Sequence, residues 1–216
     1  MSVFDLFRKI ESQRPGEGPV TAIVCGLGNP GAEYAHTRHN VGFDTVDMIA
    51  EAAGAAIDRL KYRALCATVS LGGDRVLLMK PQTMMNASGA AVAEAARFYK
   101  IPPERVIVLC DDVSLPAGRL RVRARGSDGG HNGLKDIIRA LGSDAFPRVK
   151  IGVGAPPSGS AGMISWVLGR PDPADAQAIA AARKEAAKAP EIILRDGPEA
   201  ACSRLNGFRG EVGQNG

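Results

Sequence analysis

Residues 63–80 read RALCATVSLGGDRVLLMK, two apolar-rich runs separated by Gly72-Gly73. Such runs around a glycine pair predict two strands, Arg63–Ser70 and Arg75–Lys80, joined by a tight turn. So short a connection makes them antiparallel, because parallel neighbours need a crossover of about a dozen residues or more. Outward from this hairpin, strand and helix signals alternate. Upstream, Val20–Cys25 is a short apolar run ending at Gly26. Asn40 stands where an N-cap would start a helix through about Ala53, with Gly54 as its stop. Downstream, Ser88 is a candidate cap for a helix over Gly89–Tyr99, closed by Pro102-Pro103. Val106–Cys110 and Val149–Gly154 read as strands, and Arg119–Arg125 as a strand with one wet face. Gly133–Leu141, Pro173–Ala189 and Pro198–Asn206 read as helices. Crossovers plus one hairpin predict an α/β class: a single domain with a twisted mixed β-sheet flanked by α-helices.

The 216 residues fit one domain with additions. The expected division is an extension over 1–19, an α/β domain over 20–208 and a tail over 209–216. Phe4, Phe7 and Ile10 form an apolar stripe in the extension, before the break Pro15-Gly16-Glu17-Gly18-Pro19. A composition of 45% hydrophobic and 23% charged residues excludes a disordered, collagen-like or disulfide-stapled chain. Cys25, Cys66, Cys110 and Cys202 have no metal-ligand spacing, and the apolar, strand-like settings of Cys25 and Cys110 read as reduced core thiols, which points to a reducing compartment. The N-terminus carries Asp5 and lacks the apolar core of an export signal. The uncharged run 151–169 holds five Gly and two Pro, so it is no membrane span. The expectation is a cytoplasmic protein with no membrane partner.

Several short motifs carry chemistry. Gly26-Leu27-Gly28-Asn29-Pro30-Gly31 matches the dinucleotide-binding pattern, but Pro30 interrupts it and no helix starts before Asn40. The glycines fit better as a loop holding Asn29 at the carboxyl end of a strand. His36 and His39 both precede a helix, and either has the chemistry of a general base; their local setting does not separate them. Asp111-Asp112 follows a strand, in position to orient a histidine or bind a metal. Gly129-Gly130-His131-Asn132-Gly133 leads into a helix N-terminus, where backbone amides point outward. Arg119, Arg121, Arg123 and Arg125 alternate, so a strand places them on one face. Residues 114–150 hold eight Lys or Arg against three Asp, more excess charge than the whole chain's +4. Phosphates are the natural partner of such a strip. No nucleophile is activated and no metal spacing appears, so neither metal nor cofactor is expected. Asparagine amides at Asn29, Asn86 and Asn132, a histidine with a carboxylate, and a basic strip together point to hydrolysis of an acyl ester on a nucleic acid.

GLGNPGAEY (26–34), TRHNVGF (37–43), MNASG (85–89), the stretch from Asp111-Asp112 to Pro116, and GGHNGL (129–134) resemble, in this order, bacterial-type peptidyl-tRNA hydrolase. The similarity spans about residues 20–208. It implies His39 as the catalytic histidine and Asp111 as its carboxylate partner. It implies Asn29, Asn86 and Asn132 as holders of the peptide backbone and the attacking water, and His131 and Tyr34 as cleft residues. Arg123 and Lys150 match tRNA-contacting positions, to which Arg119, Arg121 and Arg125 add charge. The implied molecule is a metal-free monomer whose partner is peptidyl-tRNA, with no obligatory protein partner. Met84 stands where relatives often carry an aromatic residue. The rival readings are a non-catalytic RNA-binding relative, a nucleotide-dependent oxidoreductase and a hydrolase of another ester.

Overall fold

The computed structural model describes residues 18–157 and 159–210. The Phe4–Phe7–Ile10 stripe lies outside them. Seven strands form one mixed sheet: β1 (Ala22–Gly26), β2 (Arg59–Lys61), β3 (Ala64–Leu71), β4 (Asp74–Pro81), β5 (Val106–Asp112), β6 (Leu120–Arg123) and β7 (Arg148–Gly152). Their order across the sheet is β2-β3-β4-β1-β5-β7-β6. The hairpin β3–β4 is antiparallel, with Ser70 opposite Arg75. β1, β4, β5 and β7 run parallel, so their carboxyl ends share one edge of the sheet. Open α/β sheets place ligands at that edge.

Among the described residues seven α-helices cover the sheet: α1 (Val41–Ala52), α2 (Ser88–Tyr99), α3 (Asn132–Leu141), α4 (Met163–Leu168), α5 (Pro173–Ala186), α6 (Ala189–Asp196) and α7 (Pro198–Leu205). One sheet face, with Val24, Leu109, Val122 and Ile151, packs on α1 and α5–α7 through Val46, Ile179, Ile193 and Leu205. The other, with Ile23, Met79, Val108 and Cys110, packs on α2 and α3 through Val92, Leu134 and Ile137. β5 is buried along its whole length, as a central parallel strand covered on both faces must be. Two glycines let α1 press onto β1 and β5. A Cβ on Gly26 would sit 2.3 Å from the Gly42 carbonyl oxygen, and one on Gly42 would sit 2.4 Å from that of Leu109.

Several elements differ from the sequence reading. β2 is a three-residue exposed strand, and α4 has six residues; both are too short to show a period. The helix expected over Pro173–Ala189 ends at Ala186, and α6 follows it. β6 spans only Leu120–Arg123, while Arg119 bridges to Arg209. Neither expected cap works as such. Ser88 lies inside α2 and its hydroxyl donates to the Met85 carbonyl at 2.9 Å. Asn40 occupies the cap position of α1, but its side chain makes no cap bond. The four cysteines are unpaired. Burial pushes the Cys66 thiol up to about 11, and those of Cys25 and Cys110 further. Among the described residues no helix is long and apolar enough to cross a membrane.

The largest fully buried side chain is charged. Arg148, 1% exposed, donates to the carbonyls of Gly126, Ser127, Asp144 and Phe146. Its guanidinium also lies 4.2 Å from the Phe146 ring centroid. It fastens the start of the loop that carries His131. Arg148→Met leaves those buried carbonyls without a donor and should lower unfolding stability by roughly 2–4 kcal/mol. Urea unfolding checks this, and a loss below about 0.5 kcal/mol would contradict it.

Candidate active site

Two loops and a strand end at the carboxyl edge supply the site. The segment after β1 ends in a single 3-10 turn, Arg38–Asn40, that lifts His39 over the end of β5. The end of β5 supplies Asp111. The glycine loop before α3 supplies His131. A single carboxylate oxygen joins them: Asp111 Oδ1 lies 2.8 Å from His39 Nδ1 and 2.9 Å from His131 Nε2. Burial by itself would raise the Asp111 carboxyl. Electrostatic attraction to the His131 and His39 imidazoles, together with their hydrogen bonds, overcomes this and holds it well below the usual carboxylate range. An ionised carboxylate only accepts, so both facing ring nitrogens carry protons.

The two imidazoles then differ. His131 is the N-cap of α3, where its Nδ1 accepts from the amides of Gly133 at 3.1 Å and Leu134 at 3.3 Å. Both its nitrogens are committed. His39 has its Nδ1–H on Asp111, and among the described residues its Nε2 has no hydrogen-bond partner. That nitrogen's lone pair belongs to a ring lining a cleft of about 250 Å³. His36 is no competitor: its side chain is 76% exposed and faces Asp44 at 3.4 Å, away from this cleft.

Of the other expected residues, Asn132 and Lys150 line the same cleft, while Asn29, Tyr34 and Asn86 lie outside its lining. Asn29 is buried, and its Oδ1 accepts from the Met85 amide at 2.7 Å. Its own backbone is clasped by Asn40, whose Oδ1 accepts from Asn29 N–H and whose Nδ2 donates to Asn29 C=O, both at 2.9 Å. Asn40 thus serves the loop instead of the helix. Through Asn29 the clasp sets the 3-10 turn Met85–Ala87, on which Asn86 is exposed. Tyr34 is half-buried and its carbonyl accepts from Thr37.

Lys150 Nζ donates to Asp112 at 3.1 Å, a pairing not legible in the sequence. Burial opposes ionisation of Asp112, but Ser114 and Lys150 together hold its carboxyl below the ordinary value. Across the strand pair Arg121 stands opposite Lys150, and Arg123 opposite Arg148. Arg119 and Arg121 are half-buried, and Arg123 and Arg125 are exposed. The basic strip therefore borders the cleft through Lys150.

No metal spacing is legible along the chain, yet the fold gathers ligand atoms of His39, Asp111 and His131 within 4.8 Å of one another. That is close enough for one ion. The two N–H donors on one carboxylate oxygen, with His131 Nδ1 on a helix N-terminus, already account for these atoms as a hydrogen-bonded set.

Residues 23–212 match the family model described as peptidyl-tRNA hydrolase. Peptidyl-tRNA hydrolase of Clostridium novyi (strain NT) is 44% identical over 87% of this chain and 98% of its own length. That of Caldanaerobacter subterraneus subsp. tengcongensis is 47% identical over 86% of this chain and 99% of its own. The crystal structure of peptidyl-tRNA hydrolase from Acinetobacter baumannii is 31% identical, with a TM-score of 0.84 over 88% of this chain and 97% of that one.

The Asp111 geometry has a consequence in acid. Its folded-state carboxyl lies below the unfolded value near ~4, so its contribution is complete above about pH 4 and is lost as pH falls below that. Asp111→Asn deletes the contribution. Urea unfolding at pH 5 and pH 3 should show a smaller acid loss in the variant than in the parent. Equal losses would contradict the assignment.

Proposed function

Because the chain belongs to the peptidyl-tRNA hydrolase family, we propose that it cleaves the ester joining a peptide to the terminal ribose of tRNA, using water activated by His39, and so recycles the tRNA. The observation that carries this is the difference between the two imidazoles. Only His39 keeps a ring nitrogen open to the cleft while its other nitrogen is held by an ionised carboxylate.

In this reading His39 Nε2 takes a proton as the water oxygen bonds to the ester carbonyl carbon. Asp111 keeps the proton on Nδ1 and stabilises the imidazolium that forms, the role of the carboxylate in a Ser–His–Asp triad, with water in place of serine. The tetrahedral intermediate then expels the ribose oxygen, which receives the proton from His39. The products are a free peptide acid and a tRNA hydroxyl. Asn86 and Asn132 present amides to the peptide and the developing oxyanion. Asn29 acts mainly through the Met85–Ala87 turn that it holds. His131 anchors Asp111, and Tyr34 borders the peptide's path. Arg123 and Lys150, with Arg119, Arg121 and Arg125, contact tRNA phosphates, and Lys150 does so while sharing its charge with Asp112. Met84 is 47% exposed, an unbranched side chain that adapts to varied peptides.

Release of N-acetyl-amino acid from N-acetyl-aminoacyl-tRNA tests this reading. The wild type should turn over, and Asp111→Asn should lose a hundredfold or more in kcat, because an amide can fix the wrong imidazole tautomer. The double variant Arg121→Ser/Arg123→Ser should weaken tRNA binding and lower the slope of log affinity against log salt by about 1–2. Salt-sensitive tRNA binding by a wild type without turnover would favour the non-catalytic RNA-binding reading. A thermal shift with dinucleotides and none with tRNA would favour the oxidoreductase.

A further inference from the structure

Arg38 precedes His39 in sequence and is 4% exposed. Its guanidinium engages separate parts of the chain. Nε donates to the Val153 carbonyl at 3.3 Å, Nη1 to the Arg170 carbonyl at 2.8 Å and Nη2 to the Asp175 carboxylate at 3.0 Å. Its plane lies over the Trp166 ring, 3.7 Å from the centroid. Its backbone N–H donates to the Gly169 carbonyl at 3.0 Å. Trp166 Nε1 donates to the Gly154 carbonyl at 2.8 Å, closing the circuit.

One residue thus holds both ends of the stretch from Val153 to Arg170. The interior of that stretch carries Met163, Ile164 and Val167, which form a wall of the cleft containing His39. The wall has little packing of its own: α4 contains no buried residue, and Ile164 is 77% exposed. A buried cation with several donors and a stacked aromatic ring is costly to desolvate unless each contact is made, so its geometry is sharply defined. Lysine has neither the flat face nor the fork to make the same set.

We propose that Arg38 is a positioning residue: it sets the cleft wall Met163–Leu168 relative to His39, so that a bound substrate is held against the open Nε2. The proposal rests on reading the cleft as the site of ester hydrolysis. It assigns Arg38 no contact with substrate. Its effect therefore belongs to substrate binding rather than to proton transfer.

Trp166 is the chain's one tryptophan, so fluorescence excited selectively at tryptophan, away from the absorption of the three tyrosines, reports this wall. The experiment compares wild type, Arg38→Lys and Asp175→Asn. It measures acrylamide quenching of Trp166, kcat and KM on N-acetyl-aminoacyl-tRNA, and thermal unfolding. The expected result for Arg38→Lys is quenching raised about twofold and KM raised about tenfold, with kcat changed less than threefold. Asp175→Asn, which loosens one contact of Arg38 outside the cleft lining, should move both quantities in the same direction by less. If Arg38→Lys does not fold, Asp175→Asn decides by the same criteria. Raised quenching with unchanged KM would overturn the proposal, leaving Arg38 a structural staple. Unchanged quenching and KM would also overturn it, as would a loss of kcat at constant KM. A wild type without turnover would overturn the hydrolase reading together with this role. An active wild type with unaltered variants overturns this role alone.

Discussion

One carboxylate oxygen organises this molecule. Asp111 Oδ1 accepts from two imidazoles carried by loops from opposite sides of the sheet. A buried carboxylate is stable as an ion only when its acceptor sites are met by good donors. The fold meets that demand by placing Asp111 next to last in the fully buried strand β5 and bringing His39 and His131 over it. The carboxylate in turn orders both rings. Because α3 claims the far nitrogen of His131, the same interaction leaves His39 alone with an open nitrogen. Two residues of identical type at nearly equal distances from one oxygen thereby acquire different chemistry.

The rest of the cleft is built by polar groups that hold backbone. Asn40 clasps Asn29, and Asn29 holds Met85. Arg148 gathers the carbonyls at the start of the His131 loop, and Arg38 those at the ends of the Val153–Arg170 stretch. Loops carry backbone donors and acceptors that no strand or helix satisfies, so buried side chains must satisfy them. Where those side chains are long and forked, they can join segments far apart in sequence. The positions of the chemical groups follow from this second layer as much as from the sheet.

Much of this was legible along the chain. The glycine pair at 72–73 and the apolar runs around it announced the antiparallel hairpin. The crossover elements announced the parallel centre, and hence the edge at which His39, Asp111 and His131 meet. Boundaries moved by a few residues, and β2 and α4 escaped because three and six residues carry no readable period. Composition could not reveal the buried arginines, since Arg38 and Arg148 look like surface charge until their carbonyl partners are known. Nor could local sequence rank His36, His39 and His131. Exposure removes the first and a helix cap occupies the last, and both facts belong to the tertiary structure.

The central claim is that inequality between the imidazoles, and one comparison tests it directly: kcat for peptide release from N-acetyl-aminoacyl-tRNA by His39→Ala and by His131→Ala. The account predicts a loss of about a thousandfold or more for His39→Ala, which removes the general base. It predicts roughly tenfold for His131→Ala, which removes one donor to Asp111 and a cap of α3. Equal losses, or the larger loss at His131, would contradict it.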